Sequence, residues 1–250
     1  MAWPLAAHWV FETLWPRRCP ACGGSAASPG ADWCQSCAAE LAILAGRSYC
    51  PTCGADTSSL LIRDGRCPSC RKLRLRHVEL VRVGPYGGPL RAAIVSFKYR
   101  RKKSLDRILA GLLWAALQGR GWFEAVDLIV PVPSHWSRRL ARGYDHVDML
   151  ARQVAELSDK PVGRALKAAK RVRPQVGLSR DARFSNVRGA FGVAGWVRAW
   201  EGSVCLVDDV TTTGATVQEA AATLARAGLD RIFVAVVAKA TIPGDRPSLM

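Results

Sequence analysis

Two adjacent carboxylates, Asp208 and Asp209, end an apolar run and precede a loop of Thr211, Thr212, Thr213, Gly214, Ala215 and Thr216. An ionised carboxylate only accepts hydrogen bonds, so the pair suits hydroxyl donors. The loop offers the opposite: threonine hydroxyls, backbone N–H groups, and a glycine that admits close approach. Residues 204–207 are too short for a helix and β-branched enough for a buried strand. Val217, Ala220, Ala221, Leu224 and Ala225 keep helical spacing, with Gly228 as the stop. The unit reads as strand, small-residue loop and helix start, whose unpaired N–H groups and positive dipole end favour a phosphate. No Gly-Lys-[Ser/Thr] follows, as a Walker A loop would need, and no Gly-x-Gly-x-x-Gly is present. An ordinary strand end with a threonine N-cap is the plainer alternative.

A second chemistry lies near the other end. Eight of nine cysteines form four Cys-x-x-Cys pairs: Cys19/Cys22, Cys34/Cys37, Cys50/Cys53 and Cys67/Cys70. A two-residue gap lets two thiolates face one metal, so four pairs supply two tetrahedral zinc sites. Cys-Pro-x-Cys-Gly starts at 19 and again at 50, and the next pair follows after eleven and thirteen residues. This internal repeat favours sequential sets (19, 22, 34, 37 and 50, 53, 67, 70) over an interleaved arrangement. Gly23 and Gly54 fit turns that need positive φ. Four thiolates with no histidine describe a structural metal rather than a catalytic one, though a zinc module can still bind a partner. Disulfides are disfavoured without a secretion signal. Cys205, inside the apolar run, is expected to be a small core residue.

The formal charge is +16, from 36 Lys+Arg against 20 Asp+Glu. That calls for an acidic partner: nucleic acid, anionic lipid or a polyphosphate. Residues 1–80 hold an excess of +3 and residues 81–250 one of +13. Two zinc ions on eight thiolates would bring the first part close to neutral, which leaves the basic field to the larger part. Residues 1–16 are apolar, but they lack a basic n-region and are too short to cross a bilayer. A short amphipathic helix ending at Pro16 is expected, packed on the protein, with a membrane surface as the alternative. The cytoplasm is the expected compartment.

The elements that must position these groups follow in order. Residues 73–77 read as a linker, 78–83 as a strand, 84–89 as a turn, and 90–97 as a short helix or extended piece. The basic run from Lys98 to 103 is either solvated or a polyanion contact. Leu105, Ile108, Leu109, Leu112, Leu113, Ala116 and Leu117 keep helical spacing, and residues 126–132 form an apolar strand that exits at Pro131 and Pro133. A loop with Ser134, His135, Arg138, Arg139 and Arg142 precedes a helix marked by Val147, Leu150, Ala151, Val154 and Leu157. Residues 158–202 are basic and poorly periodic, and read as a possible lid loop. With a last apolar run at 231–240, the pattern is an α/β domain with a mainly parallel sheet behind an N-terminal zinc-ribbon module. Ligands collect beyond the C-terminal strand ends of such sheets, so the loops after 126–132 and 204–207 should share one crevice.

Val-Asp-Asp-Val-Thr-Thr-Thr-Gly-Ala-Thr (207–216) resembles the phosphoribosyl-pyrophosphate (PRPP) motif of type I phosphoribosyltransferases. The resemblance assigns Asp208 and Asp209 to the ribose diol and residues 212–216 to the 5′-phosphate. It also makes the 133–142 loop, with Ser134, His135, Arg138, Arg139 and Arg142, the pyrophosphate candidate, with Mg²⁺ accompanying PRPP. Adjacent strand residues point oppositely, so one carboxylate is expected to grip the diol and the other to brace the loop.

Three further stretches extend the likeness: 138–146 (Arg-Arg-Leu-Ala-Arg-Gly-Tyr-Asp-His), 173–180 (Arg-Pro-Gln-Val-Gly-Leu-Ser-Arg) and 186–191 (Asn-Val-Arg-Gly-Ala-Phe). With the double zinc ribbon they resemble the ComF family of competence proteins over nearly the whole chain. That family usually carries Asn-Gln where this chain has Asp145-His146, and a carboxylate there would repel a pyrophosphate unless Mg²⁺ or Arg142 offset it. The resemblance implies a phosphoribosyltransferase fold and a role in natural competence, with PRPP or another phosphate, single-stranded DNA and the DNA-uptake machinery as partners. An active phosphoribosyltransferase of nucleotide metabolism, and a zinc-ribbon nucleic-acid binder with a vestigial PRPP site, stand as alternatives. The expected organisation is 1–16 amphipathic helix, 17–72 double zinc ribbon, 73–241 phosphoribosyltransferase-like domain and 242–250 tail.

Overall fold

A computed structural model describes residues 17–28, 30–99, 104–133, 144–170, 172 and 179–241. The expected helix at 1–16, the 134–143 loop and the 242–250 tail lie outside the described residues. Four strands, β1 (Leu80–Pro85), β2 (Leu128–Pro131), β5 (Val204–Thr211) and β6 (Ile232–Lys239), form a parallel sheet in the order β1-β6-β5-β2. Strands β3 (Leu166–Ala168) and β4 (Phe191–Val193) form a separate antiparallel pair. The fold is thus α/β with a mainly parallel sheet, as the alternation of apolar runs and helical spacing predicts.

The strand period of two sorts the core into two layers. Cys205 and Val207 of β5, with Phe233, Ala235 and Val237 of β6, face helices α2 (Gly88–Tyr99), α3 (Leu105–Leu117) and α5 (His146–Ser158). Val204 and Leu206, with Ile232, Val234 and Val236, face α7 (Ala215–Arg226) and the β3/β4 pair. Cys205 is fully buried, as expected, and burial pushes its thiol well up from its ordinary value. Helix α1 (Gln35–Ala45), in the first cysteine lobe, sends Leu41 and Leu44 into the same core as Val81 and Leu90. A one-turn helix, α4 (Gly121–Glu124), leads into β2.

Three expectations are corrected. Strand β5 does not stop at Val207 but runs to Thr211, because its ladder with β6 continues through Val210↔Ala238 and Thr211↔Lys239. The expected turn at 84–89 is divided between the end of β1 and the start of α2, where Pro89 occupies the first turn that needs no N–H. The stretch 158–202 is not a bare loop: it holds β3, helix α6 (Arg180–Val187) capped by the Ser179 hydroxyl, β4 and a 3₁₀ turn at Gly195–Ala199. Its elements are three to eight residues long, too short to show a period.

Candidate anion site and metal centres

Because β5 extends past Val207, both carboxylates lie on the strand and its alternation separates them. Asp209 continues the Cys205–Val207 face and is buried beneath α2 and α5. Lys98 Nζ, in the last turn of α2, stands 2.8 Å from Asp209 Oδ2, and His146 Nε2, at the start of α5, stands 2.5 Å from the same oxygen. Burial alone would raise the Asp209 carboxyl, but the charges of Lys98 and His146 outweigh it and hold the group well below the usual carboxylate range. Asp208 points the other way and is half-buried. Desolvation, then repulsion from Asp209, pushes its carboxyl up to about 8. The two neighbouring carboxyls are therefore shifted in opposite directions.

Both border a cavity of about 450 Å³ at the C-terminal end of the sheet. Lys98, Lys170 and Arg183 bring positive charge to its wall. Of the loop, Thr211, Thr212, Gly214, Ala215 and Thr216 line the cavity. Thr213 is buried instead, and its hydroxyl accepts the Ala215 N–H at 3.3 Å. Gly214 caps α7 with φ +83°, a conformation in which a side chain would be strained. Arg183 Nη1 donates to the Thr212 hydroxyl at 2.8 Å, Lys239 Nζ donates to the Thr212 carbonyl, and the Ala240 N–H donates to the Thr211 carbonyl at 2.8 Å. Val132 and Pro133, from the exit of β2, also line the cavity, so the two strand ends open onto one crevice. Ser134, His135, Arg138, Arg139 and Arg142 lie outside the described residues.

The cysteines gather into two sets, Cys19, Cys22, Cys34, Cys37 and Cys50, Cys53, Cys67, Cys70, each with all sulfur atoms within 4.8 Å of one another. The two knuckles are built alike. Gly23 N–H bonds the Cys19 carbonyl and Cys19 N–H the Gly24 carbonyl; Gly54 bonds Cys50 and Cys50 bonds Ala55 in the same pattern. Gly23 and Gly54 have φ +78° and +72°, as the tight turns require. Four sulfurs on a tetrahedron about 2.3 Å from zinc would be about 3.8 Å apart. Cys50–Cys70 and Cys53–Cys67 are 3.6 Å apart, Cys67–Cys70 3.8 Å and Cys22–Cys34 3.6 Å. The donor sets fit zinc in type, number and spacing. The Ser36 hydroxyl lies 3.4 Å from Cys34 Sγ, within reach of a hydrogen bond to it.

Residues 10–71 match the double zinc ribbon domain family. Over 228 residues the chain is 32% identical to competence protein F of Haemophilus influenzae, a match covering 89% of this chain and 97% of that protein. The chain belongs to the competence protein F (ComF) family. This ComF-family chain is also 31% identical over 197 residues to DNA utilization protein YhgH of Salmonella typhimurium, and 29% identical over 196 residues to that of Escherichia coli K12. Each of those matches covers 75% of the chain and 82% of the relative. Among solved structures, the allosteric regulatory enzyme of purine biosynthesis matches 57% of this chain and 29% of its own, at 18% identity and TM-score 0.36. Glutamine PRPP amidotransferase from B. subtilis, complexed with ADP and GMP, matches 56% of this chain and 30% of its own, at 20% identity and TM-score 0.37. Among the described residues of the ComF-family chain, no helix is long and apolar enough to cross a membrane.

Four residues of the crevice, Lys98, His146, Lys170 and Arg183, are not among those singled out from sequence, Lys170 falling only within the basic stretch 158–202. Lys98 stood only at the edge of a basic run, His146 only as a departure from the ComF pattern, and Arg183 not at all. Asp145, the other departure, is the N-cap of α5 and accepts the Asp148 N–H at 3.3 Å; it is not part of the cavity lining.

Proposed function

We propose that this ComF-family protein binds PRPP, or a related phosphate ligand with Mg²⁺, in the crevice at the end of β5, and acts in competence and DNA uptake. The observation that carries the reading is the joining of one half-buried carboxylate, Asp208, to a Thr/Gly loop at a helix N-terminus inside a cavity walled by Lys98, Lys170 and Arg183. Such a loop offers hydroxyl and N–H donors to a phosphate, and the Asp208 carboxyl oxygens can accept from a ribose hydroxyl. The role in DNA handling rests on the names carried by the relatives and on the formal charge of +16, which favours a polyanion. The two thiol sets would hold one structural zinc each, fixing lobes too small to fold on apolar burial alone.

Calorimetry of PRPP with Mg²⁺ tests the ligand. Saturable heat with the wild type, lost in Asp208→Ala, is expected; no heat with the wild type removes the PRPP reading. For DNA, log affinity for a single-stranded oligonucleotide should fall linearly with log salt, and a flat line would remove the electrostatic argument.

A further inference from the structure

We propose that Gln218 and Lys239 are positioning residues through which metal occupancy of the second thiol set, Cys50, Cys53, Cys67 and Cys70, controls the phosphate loop. The inference rests on reading residues 211–216 as the ligand loop. That loop is flanked by α7 on one side, hydrogen-bonded to the second cysteine lobe through Gln218, and by the end of β6 on the other, where Lys239 passes beside the knuckle.

On α7, Gln218 lies in the first turn, where its own N–H closes onto the Gly214 carbonyl at 2.8 Å. Its side-chain amide is held both ways by the segment that follows Cys70. Nε2 donates to the Arg74 carbonyl at 2.8 Å, and Oε1 accepts the Arg76 N–H at 2.9 Å. A two-way amide contact of this kind fixes position in a way that a single hydrogen bond does not. On β6, the Lys239 ammonium donates to the Thr212 carbonyl, and its stem passes the knuckle: a methyl group added at Gly54 would lie 3.8 Å from Lys239 Cδ and 2.7 Å from a Leu80 methyl. The knuckle also closes the outer edge of the sheet. The Pro51 carbonyl accepts the Leu80 N–H at 2.6 Å, and the buried His77 ring reaches the Thr52 carbonyl at 2.7 Å.

The lobe that makes these contacts has almost no core of its own. Its buried cluster is Cys50, Cys67 and Cys70, with Ala55, Leu73 and Leu75 around them. Without a metal, little apolar burial within the lobe itself offsets the entropy of ordering it. The first set differs, because Leu41 and Leu44 of α1 bury into the main core with or without metal. Losing metal from the second set would free the 74–76 segment from Gln218 and the knuckle from Lys239, loosening both flanks of the loop. Linkage makes the effect reciprocal: a ligand that orders the loop must hold the second metal more tightly.

The experiment uses the full-length zinc-loaded protein and a chromogenic chelator, with PRPP and Mg²⁺ as the probe. Binding of PRPP is first established by calorimetry. Saturating PRPP should then slow release of one of the two zinc ions about 5-fold or more, within the range of site-to-site coupling, and leave the other unchanged. In Cys22→Ser, which keeps only the second set, the protected ion should remain. Gln218→Ala should keep both zinc ions and lose most of the protection, a readout that a plain loss of thermal stability would not alter. Should Cys22→Ser fail to fold, wild type against Gln218→Ala still decides the matter. PRPP heat with no change in either release rate, or protection intact in Gln218→Ala, overturns the coupling and leaves the ligand reading standing. No PRPP heat at all overturns the ligand reading, and the coupling with it.

Discussion

Lys98 Nζ and Asp209 Oδ2 stand 2.8 Å apart with 17% and 6% of their side chains exposed, so the sheet and α2 meet at the cavity through a nearly dry ion pair. Removing one partner of such a pair leaves an uncompensated charge and costs about 3–5 kcal/mol, whereas replacing both by apolar groups is often close to neutral. Lys98→Met should therefore destabilise the protein in urea unfolding by less than that amount, about 1–3 kcal/mol, because His146 remains as a partner of Asp209. The double variant Lys98→Met/Asp209→Leu should recover part of the loss, and a strictly additive double variant would show that the pair is not coupled.

Asp208 gives a pH signature of opposite sign to an ion-paired carboxylate such as Asp209. Its carboxyl is raised from 3.8 to about 8, first by desolvation and then by Asp209. Between those values the unfolded chain gives up the proton while the folded chain keeps it, so this group's contribution falls as pH rises from about 4 to 8. Asp208→Asn removes the titration. Its melting temperature should exceed that of the wild type by a margin that grows across this window and levels off above it. A constant margin would show that the carboxyl ionises normally in the folded protein.

The knuckle glycines are equivalent in sequence and unequal in surroundings. Gly23 at φ +78° has open space where a side chain would go, while Gly54 at φ +72° would drive a Cβ to 2.7 Å from a Leu80 methyl. Gly23→Ala should carry only backbone strain, about 1 kcal/mol. Gly54→Ala adds overpacking of about 1–3 kcal/mol against the sheet edge. Thermal unfolding that ranks the two variants equal would mean that the second knuckle does not seat on β1 as described.

What could be read from the sequence follows the length over which each signal repeats. The thirteen residues of α3 and the eight of β6 span several periods, and their expected limits lie close to the observed ones. The three-residue strands β3 and β4 span barely one, too little for a strand to be legible in the sequence. The loop at 211–216 was legible because its donors and carboxylates adjoin in the chain. Lys98, His146 and Arg183 were not, because only the sheet order and the packing of α2, α5 and α6 bring them to the end of β5. His146 did leave a trace, as the position where the chain departs from Asn-Gln. The deviation marked a side chain paired with Asp209, while Asp145 caps α5 and its charge still adds to the repulsion on Asp208.

Arg82 and Asp56 join the edge strand to the second cysteine lobe with unequal burial, and the inequality fixes which half is costlier to remove. The Arg82 side chain is 1% exposed, with its guanidinium 4.8 Å from the Tyr49 ring centre, whereas Asp56 is 39% exposed. Asp56→Ala strands a buried cation whose Nε already has no hydrogen-bond partner among the described residues, and should cost about 3–5 kcal/mol. Arg82→Met leaves a carboxylate that water and Arg47, 3.7 Å away, can still serve. It fills the same apolar slot and should cost about 1 kcal/mol or less, in line with other exposed ion pairs. Chemical unfolding of the two zinc-loaded variants measures the asymmetry. Equal losses would mean that the guanidinium is hydrated, and that the lobe is held on β1 by its backbone bond from Leu80 to Pro51 and its packing rather than by this pair.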